Sequence, residues 1–279
     1  SENIISAPDV NSIYKIPLNF EKENLGKKIL QRFSLHEKRR PDWSYWQKLV
    51  NSMENPSRNV KIAIVGKYVD VGSFKLADSY ISVNHALEHA GAALDVGVEI
   101  GWVDAKQIEK EGMKLLEEFN GIIIPVGFGA TGVEGKISAI KYARENNKPF
   151  LGLCFGLQLA VVEYARHVCG LENANSIEVD PKTPHPVVDV QPTQKEILAQ
   201  HLYGGTMRLG AYAAILQRSK VLDLYKKTGR FEKDKQRIKE LRKDSLQTFR
   251  LGIISNDEVV LERHRHRFEV NSKYVDILS

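Results

Sequence analysis

Cysteine is nearly absent from this chain: Cys154 and Cys169 are the only two in 279 residues. Two thiols about one helix apart suggest neither a disulfide framework nor a metal site. No metal site is expected, and a reducing cytoplasm is the natural compartment. Long hydrophobic runs are also missing. None approaches the roughly 20 apolar residues that a membrane span needs, so no membrane partner is expected. The opening Ser1-Glu2-Asn3-Ile4-Ile5-Ser6 has no basic stretch leading into an apolar one, as a secretory signal would. Charge of one sign is only mildly in excess, with 40 basic against 35 acidic residues. Much of the surplus lies within residues 220–243, without the aromatic interleaving that single-strand binders use for stacking, so no nucleic-acid partner is expected. There is no internal repeat.

The composition, 42% hydrophobic and 27% charged, is that of an ordinary globular chain long enough for one large domain with appendages. Residues 1–59 carry too few apolar side chains for a core and read as a connector, with a short extended piece at 13–18. From residue 60 apolar runs at 60–65, 94–103, 121–126 and 149–153 alternate with helical patterns at 79–89, 106–119, 134–146 and 158–168. That alternation predicts an α/β fold: a mostly parallel central sheet with helices on both faces. Residues 171–217 look strand- and loop-rich, and the charged stretch at about 217–250 reads as a solvated insertion. Reactive groups in such sheets gather at the carboxyl ends of strands.

Three segments carry chemistry. Leu151-Gly152-Leu153-Cys154-Phe155-Gly156-Leu157-Gln158 places a cysteine where a strand ends and a helix begins, with glycines at i−2 and i+2. A sharp strand-to-helix elbow needs that spacing. The following helix favours the thiolate, and the Phe155 N–H is available to an oxyanion. A structural cysteine between packing glycines is the alternative reading. The loop Pro125-Val126-Gly127-Phe128-Gly129-Ala130-Thr131-Gly132 follows a strand and offers further backbone donors, but it lacks the Lys-Ser/Thr ending of a phosphate loop. Arg263-His264-Arg265-His266-Arg267, if a strand, puts arginines on one face and histidines on the other. Guanidinium donors suit a carboxylate; a solvated basic strand is the alternative.

Together these blocks resemble the glutamine amidotransferase domain of the CTP synthase family. The resemblance rests, in order, on Gly66-Lys67-Tyr68 with Asp78-Ser79-Tyr80, Gly127-Phe128-Gly129 through Glu134-Gly135-Lys136, and the Cys154 elbow. It continues through Asn173-Ala174-Asn175-Ser176 with Glu178, Pro184-His185-Pro186, Gly204-Gly205-Thr206-Met207-Arg208-Leu209-Gly210, and residues 262–271. It covers the chain except about 217–259. Residues 60–279 would form the class I amidotransferase domain, incomplete at its C-terminal side. Residues 1–59 would be the synthetase-domain tail and linker, with Asp9 and Val10 a remnant of an ATP contact.

The resemblance implies that Cys154 attacks the side-chain amide of L-glutamine, giving a thioester and ammonia, with Gly127 and Phe155 as oxyanion donors. Gly127, Phe155, Gly156, Leu157, Gln158, Glu178 and Arg267 would hold glutamine, Arg267 on the α-carboxylate and Glu178 on the α-ammonium. No cofactor is expected in this chain; ATP and Mg2+ would serve the synthetase domain, which aminates UTP to CTP in a homotetramer, whereas this piece is expected to be a monomer. The chain departs from the family in three ways. The His-Pro-Glu motif supplying the base is absent, the synthetase domain is absent, and Val126 replaces a glycine, which costs about 1–3 kcal/mol if φ is positive there. Residues 1–279 alone are therefore expected to make no CTP and to hydrolyse glutamine slowly or not at all. A carbamoyl phosphate or GMP synthetase component is argued against by the Gly204–Gly210 block, and a degenerate, non-catalytic binding protein is the alternative.

Overall fold

A computed structural model describes residues 4–67, 70–71, 74–75, 80–190, 194, 207–244, 250–252 and 258–279. Tyr68, Asp78, Ser79 and Gly204 to Thr206, quoted in the motifs above, lie outside the described residues. The chain divides into two compact units, residues 1–125 with 131–156, and residues 126–130 with 157–279.

The first unit holds a four-stranded sheet in the order β4-β1-β5-β6, every neighbouring pair parallel. The strands are β1 (Arg58–Gly66), β4 (Val96–Asp104), β5 (Gly121–Ile124) and β6 (Phe150–Gly152). Ala63, Ile64 and Val65 are fully buried, and all four residues of β5 are buried. Continuous rather than alternating burial is the mark of a parallel strand covered on both faces. The short strands β2 (Asp70–Val71) and β3 (Phe74–Lys75) pair antiparallel.

Its helices differ from the sequence expectation in two places. Residues 13–18 are not extended: a 3-10 turn at Ile13–Lys15 runs into α1 (Ile16–Lys22). The Ser12 hydroxyl accepts from Tyr14 N at 3.4 Å, and Pro17 sits in the first turn, where its missing N–H costs nothing. Helices α2 (Leu25–Arg32), α3 (Ser44–Glu54) and α4 (Ile81–Leu94) follow, with Val50 of α3 buried. The helix expected at 106–119 stops early. Helix α5 (Ala105–Glu111), capped by Asp104, ends at Gly112 with φ 79°, and a 3-10 turn at Met113–Leu116 takes over. Lys148 Nζ donates to the carbonyls of Leu116, Glu117 and Phe119 at 2.6–3.0 Å, satisfying the groups that the broken helix leaves over. Helix α6 (Val133–Glu145) lies tight on the start of α5: a side chain on Gly135 would collide with the Ala105 carbonyl oxygen.

Helix α7 (Phe155–His167) begins three residues earlier than the periodicity suggests, directly after Cys154. In the second unit β7 (Asn175–Ser176), β8 (Pro186–Val190) and β11 (Phe268–Val270) form a sheet in the order β11-β8-β7. Strands β9 (Arg208–Ile215) and β10 (Val259–His266) form an antiparallel ribbon.

The charged insertion folds onto that ribbon instead of standing in solvent. Helices α8 (Lys220–Lys227) and α9 (Arg230–Leu241) bury Leu222, Phe231 and Ile238 against Val259, Val260 and Leu261. Phe231, Asp234 and Ile238 share one helical face; Lys233 and Lys239 are exposed, and Lys235 flanks that face with its Nζ 4.9 Å from the Phe231 ring centroid. Asp234, 4% exposed, accepts from Leu261 N and from Arg230 Nε, both at 3.0 Å, while Arg230 Nη2 donates to Leu261 O at 2.6 Å. Replacing Asp234 by alanine leaves the buried Leu261 N–H unpaired and takes the carboxylate from Arg230 Nε. The expected loss is about 2–3 kcal/mol, read from the urea midpoint.

Candidate functional site

Cys154 adopts φ +54°. Six described non-glycine residues have positive φ, and four of them are Asn or Asp (Asn24, Asp95, Asn147 and Asn173), which tolerate that region. Cysteine has no such tolerance, and left-handed backbone costs it about 1–2 kcal/mol. The surroundings hold it there. Leu153 N donates to Ile124 O at 2.9 Å, and Gly156 N donates to Leu153 O at 3.0 Å. A Cβ on Gly156 would overlap the Ile124 carbonyl, so only glycine lets α7 start this close to β5. Strain held by its neighbours at the end of a parallel strand is typical of a nucleophile elbow.

Cys154 is half-buried and forms no disulfide with Cys169. Phe155 is 1% exposed, and Lys136 Nζ from α6 lies 5.3 Å from its ring centroid. Lys136 is itself fully buried, and its Nζ makes no hydrogen bond to a described residue. Burial, followed by repulsion from Lys67, pushes its ammonium down to about 8, with Asp104 opposing. Lys136 closes the Glu134-Gly135-Lys136 block, whose pattern alone gives it no role. The available signal was its position on the apolar stripe of Val133, Ile137 and Ile140.

The second unit gathers other expected residues. In the loop at 126–130, Gly129 has φ 74° and donates its N–H to Glu178 Oε1 at 3.1 Å; Gly127 belongs to the same loop. Val126 is not among the residues with positive φ, so the strain anticipated for it does not arise. Gln158, 6% exposed, donates Nε2 to Phe268 O at 2.8 Å, beside Arg267 in sequence, and its buried Oε1 has no hydrogen-bond partner among the described residues. Leu157 is exposed. Asp9 and Val10 lie in irregular backbone ahead of the first 3-10 turn.

Strand β10 ends in the expected alternation: Arg263 and Arg265 exposed, His264 and His266 half-buried. Arg267 falls between β10 and β11, half-buried. His266 Nδ1 faces the Phe268 carbonyl at 3.1 Å and must carry the proton, so its Nε2 accepts from His264 Nδ1 at 2.7 Å. Burial first, then the neighbouring His266 and the Arg208 guanidinium, lower the pKa of His264. The histidines therefore brace the backbone next to Arg267, a role the sequence did not reveal. Arg208, from the Gly204–Gly210 block, pairs with Glu269 Oε1 at 2.9 Å.

Residues 75–278 match the family Glutamine amidotransferase class-I. The chain belongs to this family. Its relatives among curated proteins include the CTP synthase of Thermococcus kodakarensis, 47% identical over 276 residues that make up 99% of this chain and 44% of that protein. The CTP synthase of Methanocaldococcus jannaschii is 46% identical over 284 residues, 99% of this chain and 46% of that protein. The chain thus spans about half the length of the curated relatives it matches, and covers their glutamine amidotransferase part. Among solved structures, the glutaminase domain of Trypanosoma brucei CTPS with bound acivicin is similar: TM-score 0.60, 34% identity, 78% of this chain and 71% of that one. The α/β amidotransferase fold with its parallel sheet is as the sequence predicts. Among the described residues no helix is long and apolar enough to cross a membrane.

If the elbow stores strain at Cys154, glycine there should relieve it and alanine should not. Cys154→Gly is expected to be more stable than Cys154→Ala by about 1 kcal/mol in equilibrium denaturation; equal stabilities would mean an unstrained turn.

Proposed function

We propose that this amidotransferase chain releases ammonia from L-glutamine through Cys154, and that the left-handed cysteine at the β6–α7 elbow is the observation carrying that reading. The Cys154 thiolate adds to the side-chain amide carbon, placing negative charge on the amide oxygen. The N–H groups of Phe155 and Gly127 are the proposed donors to that oxyanion. Collapse breaks the C–N bond, the nitrogen leaves as ammonia with a proton, and a thioester remains; water then gives glutamate and restores the thiol. Arg267 is assigned to the α-carboxylate and Glu178 to the α-ammonium, with Gly156, Leu157 and Gln158 lining the substrate. Glu178 already orders the Gly129 loop through one oxygen, and Gln158 presents a buried acceptor.

Following the names of the relatives, the ammonia serves an ATP-dependent amination of UTP to CTP. ATP, Mg2+ and UTP are assigned to the portion of those proteins that this chain does not span, and Asp9 and Val10 at most border it. No histidine described here is assigned as the base for Sγ.

The test is ammonia release from glutamine by the full-length protein carrying this sequence, with Cys154→Ser as control, and glutamine protection of Cys154 against iodoacetamide. Release lost in the serine variant, together with protection, is the expected result. Release that survives Cys154→Ser would overturn the reading. Glutamine binding without any release would make the chain a non-catalytic binder. For the isolated 279 residues, release at least tenfold slower than from the full-length protein is expected.

A further inference from the structure

A fully buried lysine whose ammonium makes no hydrogen bond to any described residue is a costly choice. An apolar side chain of similar volume at position 136 would serve the core better. What the ammonium touches is the ring of Phe155, 5.3 Å from its centroid. Phe155 is the residue directly after the strained Cys154, and its backbone N–H opens α7.

We infer that Lys136 is a positioning residue for the amidotransferase site. From α6 its ammonium grips the Phe155 ring by a cation–π contact, fixing the Cys154–Phe155 peptide and the N–H it presents. The inference rests on the reading of Cys154 as nucleophile. Its geometry is independent of that reading and stands on four further contacts. Helix α6 is locked in place, because a side chain on Gly135 would strike Ala105 O and because Gly135 N donates to Glu109 Oε1 at 3.0 Å. The elbow backbone is pinned on its other side by Ile124, whose carbonyl takes the Leu153 N–H and leaves no room at Gly156. Between these two anchors lies the Phe155 side chain, and Lys136 meets its ring. The charged groups facing the ammonium are Lys67, which repels it, and Asp104, which attracts it. With its pKa at about 8 it is still mainly cationic at neutral pH.

The test uses Lys136→Met, which keeps the volume and removes the charge, together with Phe155→Leu, which keeps the N–H and removes the ring, and the double variant. In the full-length protein Lys136→Met is expected to lower kcat for glutamine hydrolysis about tenfold or more while KM moves less than threefold, since an oxyanion donor acts in the transition state. The pH midpoint of iodoacetamide alkylation at Cys154, resolved from Cys169 by peptide mass spectrometry, is expected to rise by about one unit. In the Phe155→Leu background both effects should vanish. The melting temperature at pH 7 should not fall. Wild type should gain stability as pH rises from about 8 toward 10.5, where the unfolded chain holds the proton and the folded one does not, and Lys136→Met should lack that gain.

Unchanged kcat and alkylation midpoint would overturn the inference. So would effects that multiply across the two variants, or a melting temperature that drops in step with kcat and KM. A protein that releases no ammonia at all would count against the proposed function, while the alkylation midpoint would still decide the role of Lys136.

Discussion

The backbone of α7 approaches the carbonyl of Ile124 so closely that position 156 has no room for even one carbon. That approach sets the direction in which the chain leaves β6. Once Gly156 is seated against β5, the chain has two residues, Leu153 and Cys154, in which to turn from strand to helix. The Leu153 N–H is already committed to Ile124 O. The turn is then made at Cys154, at the expense of a left-handed backbone that its side chain disfavours. The strain is therefore a consequence of packing, and its effect is to present the thiol at the carboxyl end of the sheet beside the first N–H groups of a helix. N–H groups at the start of a helix favour a thiolate over a thiol.

A similar economy governs the second unit, where one carbonyl organises several side chains. The oxygen of Phe268 accepts from Gln158 and from His266, and His266 in turn accepts from His264. Two donors on one oxygen fix the crossover between β10 and β11, the stretch that contains Arg267. The relay holds while His266 Nε2 is unprotonated, because a proton there would set two donors face to face. Burial of His264 and the neighbouring Arg208 lower the pKa of His264. The dense Arg-His alternation thus separates two tasks: exposed arginines keep the ribbon edge soluble and unpaired with other strands, and half-buried histidines tie it down.

The parallel sheet was legible because its strands are short, continuously apolar and separated by helical periods, a pattern that burial on both faces imposes directly on the residues. The elbow was legible for a related reason: Gly152, Cys154 and Gly156 record a steric demand between neighbours in sequence. Local pattern failed where distant contacts decide. Residues 13–18 alternate as a strand would, but Ser12 and Pro17 start a helix. The period of α5 runs on through Met113 and Leu116, yet Gly112 breaks it and Lys148, far along the chain, makes the break stable. In the insertion the number of charges hid a stripe of Phe231, Asp234 and Ile238. Gln158, Glu178 and Arg267 were named from motif alone. Their hydrogen bonds to the Gly129 loop and to Phe268, where they have them, are tertiary and leave no local trace.

Asp234 and Lys136 show why a buried charge cannot be judged from burial. Both lie on the apolar face of a helix, and both are almost inaccessible. Asp234 is answered by an N–H and a guanidinium, so it closes a ribbon onto a helix and would be missed structurally if removed. Lys136 has no hydrogen-bonded answer among the described residues and lies against an aromatic ring instead. A cation–π contact recovers on the order of 0.5–2 kcal/mol, less than the several kcal/mol that desolvating an ammonium costs. The folded chain is therefore less stable with this lysine than it would be with an apolar residue of the same size. A stability deficit held against the ring of Phe155, next to the strained Cys154, fits a task at the elbow better than one in packing.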